Sequence, residues 1–173
     1  MAEEVGYPFN QIPSEGFSAF KSGIHGWGSI CGALVPAIYA ITLVAEGDEQ
    51  KDMVNELMAW YKDTPFPIYQ PKGLNLPTTV ADSSLCHVSV TKFMQLLDIP
   101  RDDPQRSERC GGLTADVAKF TVAMLNDFAD KKLATGVFKP SAVVGECMAC
   151  HSKMEWAHGK ETCTSCHGDP HND

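Results

Sequence analysis

Basic residues are scarce in this 173-residue chain, with 14 lysines and arginines against 22 aspartates and glutamates and a formal net charge of −8. Phosphate backbones are bound by clustered cations, so this balance excludes a nucleic-acid partner. A long apolar run is missing as well. The widest uncharged reach, Ser22 to Ala45, is interrupted by Gly23, His25, Gly26 and Gly28, and its apolar part from Ile30 contains Pro36. A membrane span needs ~20 mostly apolar residues, so a buried core helix is expected there and no membrane span. No run alternates apolar and polar residues as a half-buried strand would. The opening Met1-Ala2-Glu3-Glu4 has neither the basic nor the apolar region of a secretory signal.

Cysteine and histidine, by contrast, are abundant, with seven and six copies in a chain of otherwise globular composition. Four of the cysteines fall near the C-terminus in two copies of one pattern, Cys147-Met148-Ala149-Cys150-His151 and Cys163-Thr164-Ser165-Cys166-His167. Cys-x-x-Cys-His is the attachment pattern of c-type haem. The gap sets the two sulfurs at the separation of the porphyrin vinyl groups, and the following imidazole lies under the ring where it can bind iron. Two Cys-x-x-Cys pairs would also suit zinc or a redox disulfide. Neither of those demands a histidine directly after the second cysteine, and here it follows both times.

Two covalently bound haem c groups are therefore expected, on Cys147 and Cys150 and on Cys163 and Cys166, with His151 and His167 as proximal iron ligands. Candidate distal ligands are His158, between the motifs, then His25, flanked by glycines and beside Trp27, then His171; His87 ranks last. Methionine is the other candidate, and would raise the potential, whereas two imidazoles per iron would keep it low. The motifs start 16 residues apart, at most ~24 Å as helix, so the rings would be neighbours. Haem c is attached outside the cytoplasmic membrane, so the chain is expected to be exported and periplasmic, its signal absent from this numbering.

The first 135 residues are expected to form a helical domain, and residues 136–173 an irregular dihaem c-binding segment. The fold class expected is all-α, with roughly four helices. One helix falls within Ile30–Glu46. A second, Asp48 to Asp63, has Met53, Val54, Leu57, Met58 and Tyr61 on one stripe. A third is capped by Asp82-Ser83-Ser84, reaches Leu97 and turns Cys86, Val90, Phe93 and Leu97 inward, ending before Ile99-Pro100 and Asp103-Pro104. A fourth is capped near Thr114 and turns Val117, Phe120, Thr121, Met124 and Phe128 to one side. The proline-rich Thr64–Gly73 is expected to be an irregular connector.

Cys31, Cys86 and Cys110 lie in this helical part. They suit either small buried fillers or a metal or iron–sulfur site, three thiolates being one short of a full set. Cys31-Gly32-Ala33-Leu34 with its approach Gly23-Ile24-His25-Gly26-Trp27-Gly28, then Leu85-Cys86 opening a helix, then Cys110, resembles the redox-active C-GCAxxG-C-C family. Joined to the paired haem motifs, the pattern is similar to that of the split-Soret cytochromes c. No cysteine precedes Cys31, and Pro36 stands where that family usually has glycine. The resemblance implies a homodimer, two haems per chain close together near the subunit interface, and an iron–sulfur cluster on the spaced cysteines.

The function expected is electron transfer, not catalysis, with a redox partner such as another cytochrome presenting a basic face to this acidic chain. The alternatives are a small-molecule reductase with one open haem iron, a sensor, or a filament-forming multihaem cytochrome.

Overall fold

Apolar residues recurring at helical spacing set the core, and the computed structural model describes residues 2–7, 9–134, 136–154, 159–162, 164 and 168. The chain divides into two units, residues 1–135 and 136–173. After short turns that include Ala2–Val5 and Ser14–Phe20, the first unit builds α1 (Leu34–Thr42), α2 (Gly47–Asp63), α3 (Cys86–Leu97) and α4 (Pro104–Ala129). Helices α1, α2 and α4 pack on one another, and α3 lies against α4. The shared core joins Leu34, Ala37 and Ile41 of α1 to Met53, Leu57 and Tyr61 of α2 and to Leu113, Val117 and Met124 of α4. Burial of such stripes supplies most of the stability that short helices lack alone. Pro36 falls in the first turn of α1, where its missing N–H has no intrahelical acceptor to lose.

The chain is mostly helical, as its patterning predicts, but three local expectations need correction. Among the described residues two short strands exist: β1 (Pro65–Phe66) and β2 (Thr79–Val80) pair antiparallel, Pro65 with Val80 and Phe66 with Thr79. Two residues are too few to show an alternation. Helix α3 starts at Cys86, and Leu85 is its extended N-cap residue, without a side-chain cap. A bridge between Ile30 and Leu85, with Cys31 N–H on the Ser84 carbonyl at 2.9 Å, holds Asp82–Leu85 out of the helix. Helix α4 begins at Pro104, not near Thr114. Asp103 accepts the Gln105 N–H at 2.7 Å and caps it, and Pro104 is its first residue, so a pair expected to end one helix instead starts the next, α3 having ended at Leu97 with Asp98 left-handed.

The connector after β1 is fastened to α4. A Cβ on Gly112 would sit 2.4 Å from the Tyr69 carbonyl oxygen, so only glycine lets the chain cross there. One turn on, the buried Asp116 carboxylate accepts the Ile68 and Tyr69 N–H groups at 2.7 and 3.0 Å.

The second unit contains α5 (Ala142–His151), followed by a short turn, Ser152–Met154. Ser141 caps α5, its Oγ accepting the Val144 N–H at 3.4 Å. No helix of the described residues is long and apolar enough to cross a membrane.

Candidate metal centre

Ser22, Gly23, Ile24, His25 and Gly26 all have positive φ, between 50° and 95°, a full left-handed turn. Each non-glycine residue there costs ~1–2 kcal/mol, and for β-branched Ile24 the conformation is an outlier. The surroundings hold it. Ser29 donates to the Gly23 carbonyl through both N–H and Oγ, at 3.3 and 3.2 Å. Cys86 N–H donates to the Ser29 carbonyl at 2.6 Å, and His87 N–H to that of Gly28 at 3.2 Å. The turn is thereby strapped to the N-terminus of α3, with His25 exposed and Trp27 86% exposed at its tip.

The same strap brings the spaced cysteines together. Cys31 follows the Ile30–Leu85 bridge, Cys86 opens α3 and Cys110 lies in α4; all three are half-buried. They line one cavity of about 520 Å³, shared with Ser89, Arg106 and Arg109. Desolvation pushes the Cys31 thiol above its ordinary value, with neighbouring Tyr61 and Arg109 opposing. Cys86 is pushed up to about 11, by desolvation first and then by the nearby Cys31 and Cys110. The Tyr61 hydroxyl, fully buried, is raised for the same reason and faces Cys31 and Ser89 without a hydrogen bond of normal geometry.

Arg109 is the residue that sequence reasoning missed. It is 1% exposed, donates from Nη2 to the Ser89 Oγ at 2.8 Å, and has no partner for its Nε. Its Cζ lies 5.8 Å from the centre of the Phe93 ring. The signal was in the register: extending the Val117 stripe backwards by helical steps reaches Leu113 and then Arg109.

Neither His25 nor His87 lines the cysteine cavity. His87 is exposed, with its Nδ1 3.0 Å from the Gly28 carbonyl oxygen, and borders a separate 190 Å³ hollow with Arg101 and Arg106. Among the described residues no three His, Cys, Asp or Glu side chains approach closely enough to hold a single ion. Three thiols around a cavity of this size suit a larger thiolate-bound group better than one small ion.

In the second unit, α5 carries the first Cys-x-x-Cys-His at its C-terminal end. Cys147, Cys150 and His151 stand at positions i, i+3 and i+4, which share a helix face. Cys147 and His151 are half-buried and Cys150 is exposed. Cys163, Cys166, His167, His158 and His171 lie outside the described residues.

Soft donors from three separate elements thus line one cavity beside a buried cation in a small helical domain. Residues 1–124 match the family model C_GCAxxG_C_C, described as putative redox-active protein, and the chain belongs to that family. It is 41% identical to the split-Soret cytochrome c of Desulfovibrio desulfuricans over 179 aligned positions, which cover 96% of this chain and 64% of that relative's length. A solved structure described as a novel iron centre in the split-Soret cytochrome c of that organism superposes with a TM-score of 0.87 at 40% identity, covering 96% of this chain and 74% of the other.

Proposed function

We propose that this protein is an exported dihaem c-type cytochrome that carries electrons one at a time. The observation that carries this reading is the helix α5, which presents Cys147, Cys150 and His151 on one face in a chain that repeats the same pattern at Cys163, Cys166 and His167. Cys147 and Cys150 would hold one porphyrin through thioether bonds with His151 on its iron, and the second motif would do the same. A haem so held supplies a one-electron ferric–ferrous couple. Similarity to a split-Soret cytochrome c supports the assignment.

His25 is the described histidine best presented as a distal ligand, because its left-handed turn fixes the backbone and leaves the imidazole exposed. His158 and His171 complete the supply of imidazole. Two imidazoles per iron would give low potentials, and a homodimer would close the pockets of closely spaced rings. Acidic surface would steer a partner with a basic face. Cys31, Cys86 and Cys110 would hold an additional iron–sulfur centre, a reading supported by the iron centre in the related solved structure.

An intact-mass spectrum of the native protein tests the haem assignment. The expected result is an increment of two haems per chain; a mass equal to the bare polypeptide overturns it. Low-spin ferric spectra unchanged by cyanide are expected, and a shift would favour an open iron and a reductase. Iron counted against pyridine haemochrome tests the cysteine site, with non-haem iron expected in anaerobically prepared protein.

A further inference from the structure

An ionised guanidinium taken out of water must find an anion, because arginine cannot shed its charge. Arg109 is 1% exposed, yet no carboxylate among the described residues pairs with it. Asp116, the buried acid on the same helix, directs both oxygens to the Ile68 and Tyr69 N–H groups. Ser89 and the Phe93 ring are the neutral groups that touch the guanidinium, and Nε stays without a partner. Arg106, one turn earlier on α4, lines the same cavity and also has a buried, unpartnered Nε. The groups in that cavity able to carry negative charge are Cys31, Cys86 and Cys110, as metal-bound thiolates.

We propose that Arg109 is the counter-cation of the cysteine-held iron centre, a positioning residue whose buried charge tightens iron retention and raises the centre's midpoint potential. This rests on the reading that these cysteines hold iron. A thiolate-ligated iron centre carries net negative charge, and reduction adds one electron with no bond formed or broken. A fixed cation in a low-dielectric cavity favours the more negative, reduced state. Arg106, less buried, adds to the same field.

The test compares Arg109→Gln, which keeps hydrogen-bonding capacity but loses the charge, with Arg109→Lys, which keeps the charge. The full chain is prepared anaerobically with its haems. Non-haem iron is followed by chelator competition and by EPR-monitored titration with dithionite and mediators. Arg109→Gln is expected to bind iron about 10- to 100-fold more weakly, as loss of an outer-shell partner does. Its remaining iron should titrate at a lower potential, and Arg109→Lys should restore most of both.

Wild-type potential and retention in Arg109→Gln would overturn the proposal. Equal losses in the two variants would also overturn it, since shape rather than charge would then be what matters. If Arg109→Gln does not fold, Arg106→Gln decides, with a smaller fall in potential expected and an unchanged potential overturning. Wild-type protein without non-haem iron, or iron retained in Cys31→Ser and Cys110→Ser, sinks the underlying site itself, an outcome distinct from those of the arginine variants.

Discussion

Gly23 and Cys86 are packed so closely that a Cβ on the glycine would lie 2.8 Å from the cysteine Cβ, and 2.7 Å from the Ser29 nitrogen. The contact ties the left-handed turn, which carries His25, to the thiol that opens α3. Both the backbone conformation, at φ +64°, and the space exclude a side chain.

Gly23→Ala is therefore expected to destabilise the chain by about 1–3 kcal/mol, combining left-handed strain with overpacking. It should also reduce the non-haem iron bound, because Cys86 must move. Gly16→Ala is the control, with nothing within 4 Å of the added methyl, and should shift stability by less than about 0.5 kcal/mol. Urea unfolding and iron analysis on the same preparations check both.

Asp116→Ala removes the acceptor of two connector N–H groups. The expected cost is about 1.5–3 kcal/mol, typical of hydrogen bonds to a charged group. Asp116→Asn keeps one acceptor oxygen and should lose less. Urea midpoints, with proteolysis between Pro67 and Gly73 as a local readout, measure it.

In the metal-free chain the Cys86 thiol is raised from 9.0 to about 11, and Cys31 is raised as well. Between those values the unfolded chain has lost a proton that the folded chain keeps, so folding stability falls as pH rises. It should be fully present below pH 9 and lost through pH 11. Metal-free protein is expected to show this decline in melting temperature, and Cys86→Ser a weaker one. Iron uptake should release protons at neutral pH, measurable in weakly buffered solution.

Asp103→Ala deletes the cap on α4 and is expected to cost about 0.5–2 kcal/mol. Asp103→Asn should recover most of it. The loss should register in thermal unfolding of the helical unit while the haem content, proposed to depend on Cys147, Cys150, Cys163 and Cys166, stays constant.

Most of the helices were legible because their stripes are long: Met53, Leu57 and Tyr61 were expected inside and are fully buried. Their ends were less so. The start of α3 is fixed by the Ile30–Leu85 bridge, a contact distant in sequence that overrides the local capping signal of Asp82-Ser83-Ser84. The N-terminal half of α4 was hidden by Gly111 and Gly112, weak helix formers tolerated because the connector crosses at Gly112.

The sequence by itself determined the two Cys-x-x-Cys-His motifs and the spaced-cysteine family, because each haem-type motif is a local pattern of residues three and four apart and the family pattern is carried by residue identity. Tertiary structure alone decided that Cys31, Cys86 and Cys110 face one cavity and that Arg109 enters it uncompensated. Those relations join a loop, α3 and α4 across long sequence separations: the Ile30–Leu85 bridge sets Cys31 beside the start of α3, and α3 packs on α4, where Arg109 reaches Ser89.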